Sequence, residues 1–195
     1  MRRLALLLGA LLVLVGALTI GLFVRDLLLH NQADQAQAQA WRNLVDATAG
    51  ASTTDTLPGG VYLRLTVPKL NKDGVAVNGD WNSLKVSSMV HYKDSPAPGD
   101  KGNMLIAFHR ETHWIDIDQV HAGDALQVET VDQKKYVYQV DFVRVVHPTD
   151  VALLQSTSGY DLTLITCTPP WQDYNRMLFR AHLVSTPGAS PTPSP

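Results

Sequence analysis

The sequence predicts a mostly antiparallel all-β domain, a sandwich or a barrel, carried behind a single N-terminal membrane helix. Three observations lead there. Short apolar runs alternate at the two-residue period of half-buried strands. Turn signals separate these runs at short intervals. The opening MRRLALLLGALLVLVGALTIGLFVRD holds one uncharged stretch, Leu4 to Val24, of about 21 residues, enough to cross a hydrocarbon core of roughly 30 Å.

Taken in order, the first element is that stretch. Arg2 and Arg3 precede it, whereas Arg25 behind it is offset by Asp26, a bias that places the N-terminus in the cytoplasm and the remainder outside. A cleaved signal peptide is the alternative, with Ala36-Gln37-Ala38 or Ala38-Gln39-Ala40 as the small-residue site, but the apolar run exceeds the usual core of about 7 to 15 residues. The next segment, HNQADQAQAQAWRNLVDATAGASTTDTLPGG, is rich in Gln, Ala, Thr and Gly and has little to bury, as in a stalk. Its first half, Asn31 to Val45, favours helix.

Beyond Gly60 the pattern changes. VYLRLTV sets Val61, Leu63, Leu65 and Val67 on one face, and NMLIAF, ALQVETV, KYVYQVDFVRVV, DLTLITC and RMLFRAHLV follow as further strands. Lys72-Asp73-Gly74, Pro98-Gly99-Asp100, Ala122-Gly123-Asp124 and Ser158-Gly159-Tyr160 read as turns between them. Trp114 to Val120 and Asp150 to Gln155 suit short helices, and TPGASPTPSP at the end is too polar and proline-rich to pack.

The 195 residues allow one domain with a proper core plus about fifty residues of other structure. A formal net charge of -2 argues against nucleic acid as a partner, because binding through phosphates needs an excess of Lys and Arg.

The chain carries one cysteine, Cys167, so it has no disulfide partner within the chain. Thr163, Ile165 and Cys167 share one strand face, Leu162, Leu164 and Thr166 the other, and Pro169-Pro170 ends the ladder. A lone cysteine is often just a small buried apolar residue. A nucleophilic one needs a base or an imidazolium to supply thiolate and a donor for the oxyanion. Arg176 opens the following strand and can reach the same sheet edge as Cys167. Of seven histidines, His109 ends the strand NMLIAF much as Cys167 ends LTLITC, whereas His91, His113, His121 and His147 lie in or near loops, where solvated polar residues are the default. His109 and His113 flank Glu111, but this is not the His-Glu-x-x-His arrangement of zinc proteases, and no metal is expected there.

Leu162-Thr163-Leu164-Ile165-Thr166-Cys167 resembles the Leu-x-Thr-Cys strand of the sortases, and Thr166-Cys167-Thr168-Pro169 followed by Arg176 is similar to their Thr-Cys-Thr-Pro and downstream arginine. Met89-Val90-His91-Tyr92, Pro98-Gly99-Asp100, Gly102-Asn103 and Ile106-Ala107-Phe108-His109-Arg110 resemble the stretch leading to the family's histidine, and Gly123-Asp124 falls where the family often has Gly-Asp. The resemblance covers about Val61 to Val184. It implies a closed eight-stranded β-barrel and a cysteine transpeptidase of the bacterial surface. Cys167 would attack the Thr-Gly bond of a C-terminal Leu-Pro-x-Thr-Gly-like sorting signal, His109 would act as acid and then base, and Arg176 would steady the oxyanion. The implied partners are surface proteins bearing that signal, and a peptidoglycan precursor amine or a pilin lysine as acceptor; no cofactor is implied.

Thr166, Phe108 and Trp171 are the expected substrate contacts. Phe108 stands where the family usually has a small residue and would narrow the approach to His109, while Trp171 would line the groove or cover the barrel end. An Asp-Pro-aromatic lid and a second span after Val184, both common in the pilus-polymerising branch, are missing, which favours attachment of single proteins. Isolated carboxylates such as Asp116 and Asp118 do not decide whether calcium, known in some sortases, binds.

The expected organisation is a cytoplasmic tip at 1–3, a transmembrane anchor at 4–24, an extracellular stalk at 25–59, a catalytic barrel at 60–186 and a disordered tail at 187–195, in the cell membrane of a Gram-positive-type bacterium. The competing expectation is a membrane-tethered extracellular β-domain that binds a partner without chemistry, with Cys167 inert.

Overall fold

The computed structural model describes residues 2–47 and 60–187; residues 48–59 of the expected stalk and 188–195 of the polar tail lie outside the described residues. The apolar N-terminal run and the Ala/Gln segment behind it form one helix, α1 (Arg2–Ala47), with no break at the expected anchor–stalk boundary. Its Leu6–Arg25 stretch is long and apolar enough to cross a membrane.

Eight strands follow: β1 (Val61–Val67), β2 (Lys72–Gly79), β3 (Met89–Tyr92), β4 (Gly102–Phe108), β5 (Ala125–Thr130), β6 (Lys135–Val146), β7 (Tyr160–Thr168) and β8 (Asn175–Ser185). They close in the order β1-β2-β3-β4-β7-β8-β6-β5, so the sheet keeps no free edge. Pairing is antiparallel except for β2 with β3 and β4 with β7, which run parallel. The closed barrel resolves the choice between sandwich and barrel left by the strand pattern.

The alternation read from the sequence sets the inside and outside of the barrel. Leu63 and Leu65 of β1, Met104, Ile106 and Phe108 of β4, Leu162 and Leu164 of β7 and Phe179 of β8 fill its interior. The opposite faces of β4, β7 and β8 carry a second, outer apolar layer: Leu105, Ala107, Ile165 and Leu178, partly covered by Leu84, Tyr92, Val146, Leu153 and Leu154. This outer layer positions the site.

Two strands differ from the sequence expectation. Lys72-Asp73-Gly74 is not a turn but the start of β2; the chain reverses one residue earlier, at Asn71, which adopts the left-handed conformation (φ 52°) and donates its N–H to the Pro68 carbonyl. Gly74 is in the strand because a Cβ there would lie 3.1 Å from both Met89 and the Trp114 ring. β3 has only four residues, too few for a periodic signal. On it, His91 is 2 % exposed rather than solvated. The expected short helices are 3₁₀ turns at Thr112–Trp114, Ile117–Gln119 and Ala152–Leu154, and a further one, Trp81–Lys85, is capped by the Asp80 carboxylate, which accepts from the N–H groups of Asn82 and Ser83.

Candidate active site

Strand register brings three of the expected residues into a row. Cys167 on β7 pairs directly with Arg176 on β8. On the other side of β7, the parallel ladder pairs Ala107 with Ile165. Two residues further along each chain stand His109 and Cys167, so His109 leaves β4 level with the thiol and on the same face. Neighbouring strands lie about 4.8 Å apart, which puts the imidazole, thiol and guanidinium within reach across one sheet end. The face is the outer one, continuous with the Leu105, Ala107, Ile165 and Leu178 layer.

Each group is held locally. The His109 Nε2–H donates to the Leu84 carbonyl at 2.7 Å, which fixes the hydrogen on Nε2, while Nδ1 lies 3.7 Å from a Glu111 oxygen. Arg176 folds back onto its own loop and donates to the carbonyls of Asp173 and Asn175 at 2.9 and 3.2 Å. The Thr166 hydroxyl donates to the Phe108 carbonyl at 2.8 Å, fastening β7 to the end of β4 beneath the site. Burial pushes the half-buried Cys167 thiol above the usual range; the Arg176 charge opposes this, and Glu111 and Asp173 add to it.

Thr166 and Phe108 face the barrel interior, opposite Cys167 and His109. Phe108 is 3 % exposed and packs against Trp114 with ring centroids 5.5 Å apart, so its side chain does not narrow the approach to His109. Strand alternation requires this: a residue adjacent to an outward one points inward. Trp171 lies at the rim, in the turn after β7, with its ring 6.0 Å from Phe23 of α1. The rings of His109 and His113 address different carbonyls, those of Leu84 and Asp73.

Sequence reasoning missed several supporting groups. Arg110 is buried behind the site, where its guanidinium donates to the Thr168 hydroxyl at 3.0 Å and the Ile115 carbonyl at 3.2 and 3.3 Å and meets an Asp118 oxygen at 2.8 Å, locking the β4–β5 connection to the residue after the cysteine. Its adjacency to His109 was the one available signal. Asn103 donates to the carbonyls of Leu153 and Gln155 at 3.2 and 3.1 Å and accepts from the Thr163 hydroxyl at 2.7 Å, and Arg180 also reaches the Leu153 carbonyl. These bonds pin the β6–β7 loop (147–159), whose Leu153 and Leu154 wall the outer apolar layer.

Comparison with known proteins agrees with this architecture. Residues 65–184 match the Sortase domain family. Sortase D of Bacillus subtilis is 24 % identical over 135 residues, 68 % of this chain and 67 % of that protein. Sortase SrtE2 of Streptomyces coelicolor is 27 % identical over 210 residues, 92 % of this chain and 81 % of that protein. Among solved structures, sortase E1 of Streptomyces coelicolor with a tripeptide in its active site superposes with a TM-score of 0.59 at 26 % identity, covering 68 % of this chain and 93 % of the other. The Clostridium perfringens sortase D5 transpeptidase shares the fold at 18 % identity, with a TM-score of 0.60 and coverage of 80 % and 99 %. A closed barrel with a thiol at the end of one wall strand, matched across most of its length, establishes that the chain belongs to the sortase family of cysteine transpeptidases.

Proposed function

We propose that Cys167 cleaves a Leu-Pro-x-Thr-Gly-like sorting signal between Thr and Gly and that the acyl group passes to an amine of a peptidoglycan precursor or a pilin lysine. The observation that carries this reading is the register of β4, β7 and β8, which supports an imidazole, a thiol and a guanidinium side by side on an open outer face.

As substrate enters, the thiol proton passes to His109 and the thiolate attacks the threonine carbonyl carbon. The oxyanion is met by the Arg176 guanidinium. The C–N bond breaks and His109 gives its proton to the departing glycine amine, leaving a thioester. An incoming amine then attacks the thioester, His109 takes its proton, the sulfur leaves as thiolate, and His109 returns the proton to it. One group must serve as acid in the first half and base in the second, and imidazole suits this near neutral pH. The half-buried Leu153 and Leu154, which cover the outer layer of Leu105, Ala107, Ile165 and Leu178, suit the apolar part of the signal. Thr166 and Phe108 contribute by joining the strand ends beneath the site. Arg2 and Arg3 ahead of the apolar span favour a cytoplasmic N-terminus and an extracellular barrel in a single-membrane bacterium.

The test is mass spectrometry of the full chain in detergent after incubation with a pool of x-Pro-x-Thr-Gly peptides and triglycine. An adduct on Cys167 ending at threonine, or a ligated peptide, is expected and names the preferred signal. Cleavage by the Cys167→Ala protein would refute the mechanism. A Cys167 that reacts with iodoacetamide yet forms no adduct from any peptide would refute the signal class.

A further inference from the structure

The turn between β7 and β8 presents two large aromatic side chains to the outside: Trp171 is 52 % exposed and Tyr174 67 % exposed. The turn is tight. Gln172 donates its N–H to the Pro169 carbonyl, and Trp171 adopts the left-handed conformation (φ 65°), which a bulky residue takes only when its surroundings hold it there. The ring thus projects from a constrained turn instead of folding into the barrel.

What it projects toward is set by α1. Phe23, the residue whose ring contacts Trp171, belongs to the Leu6–Arg25 span and lies two residues, about 3 Å, inside its outer end. The barrel meets the same helix at three more points: Gln37 donates to the Ser87 hydroxyl, Trp41 is buried among Val61, Val75 and Val131, and the Val45 carbonyl accepts from Gln133. Residues 23, 37, 41 and 45 fall on one helix face at near-whole-turn spacings. Trp41 stands 16 residues, about 24 Å, beyond Arg25. A domain of this size has a radius of gyration of about 14 Å, so a barrel fastened at Trp41 and lying back along the helix fills that distance down to the bilayer.

We propose that the β7–β8 turn docks into the headgroup region of the membrane that α1 spans, with Trp171 and Tyr174 as interfacial anchors. Their apolar rings enter the acyl boundary while the indole N–H and phenol O–H stay in the wet layer, the chemistry that enriches both residues at membrane interfaces. Cys167 precedes Trp171 by four residues, at most about 14 Å of chain, so the reactive sulfur works close to the bilayer surface. The proposal rests on α1 being a membrane span and is independent of which signal Cys167 cleaves.

The experiment uses the full chain in phosphatidylcholine–phosphatidylglycerol vesicles, with a nitroxide on Tyr174→Cys or, as control, on Lys134→Cys at the far hairpin, each in a Cys167→Ala background. Accessibility to oxygen and to a water-soluble nickel chelate is read by electron paramagnetic resonance. The oxygen-to-nickel ratio is expected to be several-fold higher at 174 than at 134. Equal, water-like ratios in protein that resists alkaline carbonate extraction would overturn the docking alone. Protein released by carbonate would overturn the span and the docking with it. Trypsin resistance of the barrel in both labelled proteins separates either result from misfolding.

Discussion

At Cys167, burial and the neighbouring charges pull the thiol in opposite directions. Burial raises its pKa, the Arg176 guanidinium lowers it, and Glu111 and Asp173 raise it, with a net upward shift. Alkylation by iodoacetamide should therefore rise with pH to a midpoint above that of an ordinary thiol. Arg176→Ala removes a charge that stabilises the thiolate, so the midpoint should move further up and alkylation at pH 7 should slow several-fold. Glu111→Gln should move it down. Mass-spectrometric kinetics across pH 6 to 10 read both shifts, and an unmoved midpoint in Arg176→Ala would mean the guanidinium does not act on the sulfur. Peptide transfer by Arg176→Ala should fall by about 10²–10³-fold, the usual cost of losing an oxyanion donor. Cys167, His109 and Arg176 were legible in the sequence because each stands at a strand end. The Leu84 carbonyl that orients His109 was not, since no local pattern marks a backbone acceptor 25 residues away.

Among the elements, the β6–β7 loop depends most on residues distant in sequence. Asn103 is 2 % exposed and holds the loop through two carbonyls while accepting from Thr163. Asn103→Ala would leave these buried groups short of partners, at about 1–3 kcal/mol of stability. Hydrogen exchange should then quicken over residues 152–159 and KM for a signal peptide should rise, because Leu153 and Leu154 no longer hold the wall; unchanged exchange there would remove Asn103 from this role. β2 and β3 were hidden for related reasons. Lys72-Asp73-Gly74 has the composition of a turn, and only the nearness of Met89 and Trp114 shows why glycine is needed inside a strand.

For the molecule as a whole, the expected loss of stability on mild acidification centres on a histidine outside the site. His91 has Nε2 3.1 Å from the Pro96 carbonyl and Nδ1 2.9 Å from Asn78 Oδ1, and burial holds its pKa below the ordinary value. A group depressed in the folded state binds its proton more readily when the chain unfolds. The stability it supports is therefore complete above the unfolded value of about 6.5 and is lost as pH falls below it. The urea midpoint of the chain should drop between pH 7 and pH 5, and His91→Gln should flatten that drop. An equally steep drop in His91→Gln would assign it to other groups. Carboxylates such as Asp116, held low chiefly by its hydrogen bond from Lys72, act only at more acid pH and leave this window clear.

The sequence by itself determined the membrane-length helix, six of the eight strands, the two alternating sets of side chains along β1 and β7, and the three residues at strand ends. All of these depend on spacing along the chain, which apolar periodicity and turn chemistry encode locally. The parallel pairing of β4 with β7, which sets His109 level with Cys167, was decided only by the closed barrel, because a parallel neighbour is reached through a long connection that leaves no local mark. The same holds for the continuity of α1 with its barrel-facing side, the inward turn of Phe108 and Thr166, and the nearness of Trp171 to Phe23. Each is a contact between segments far apart in the chain, and such contacts exist only once the core has closed.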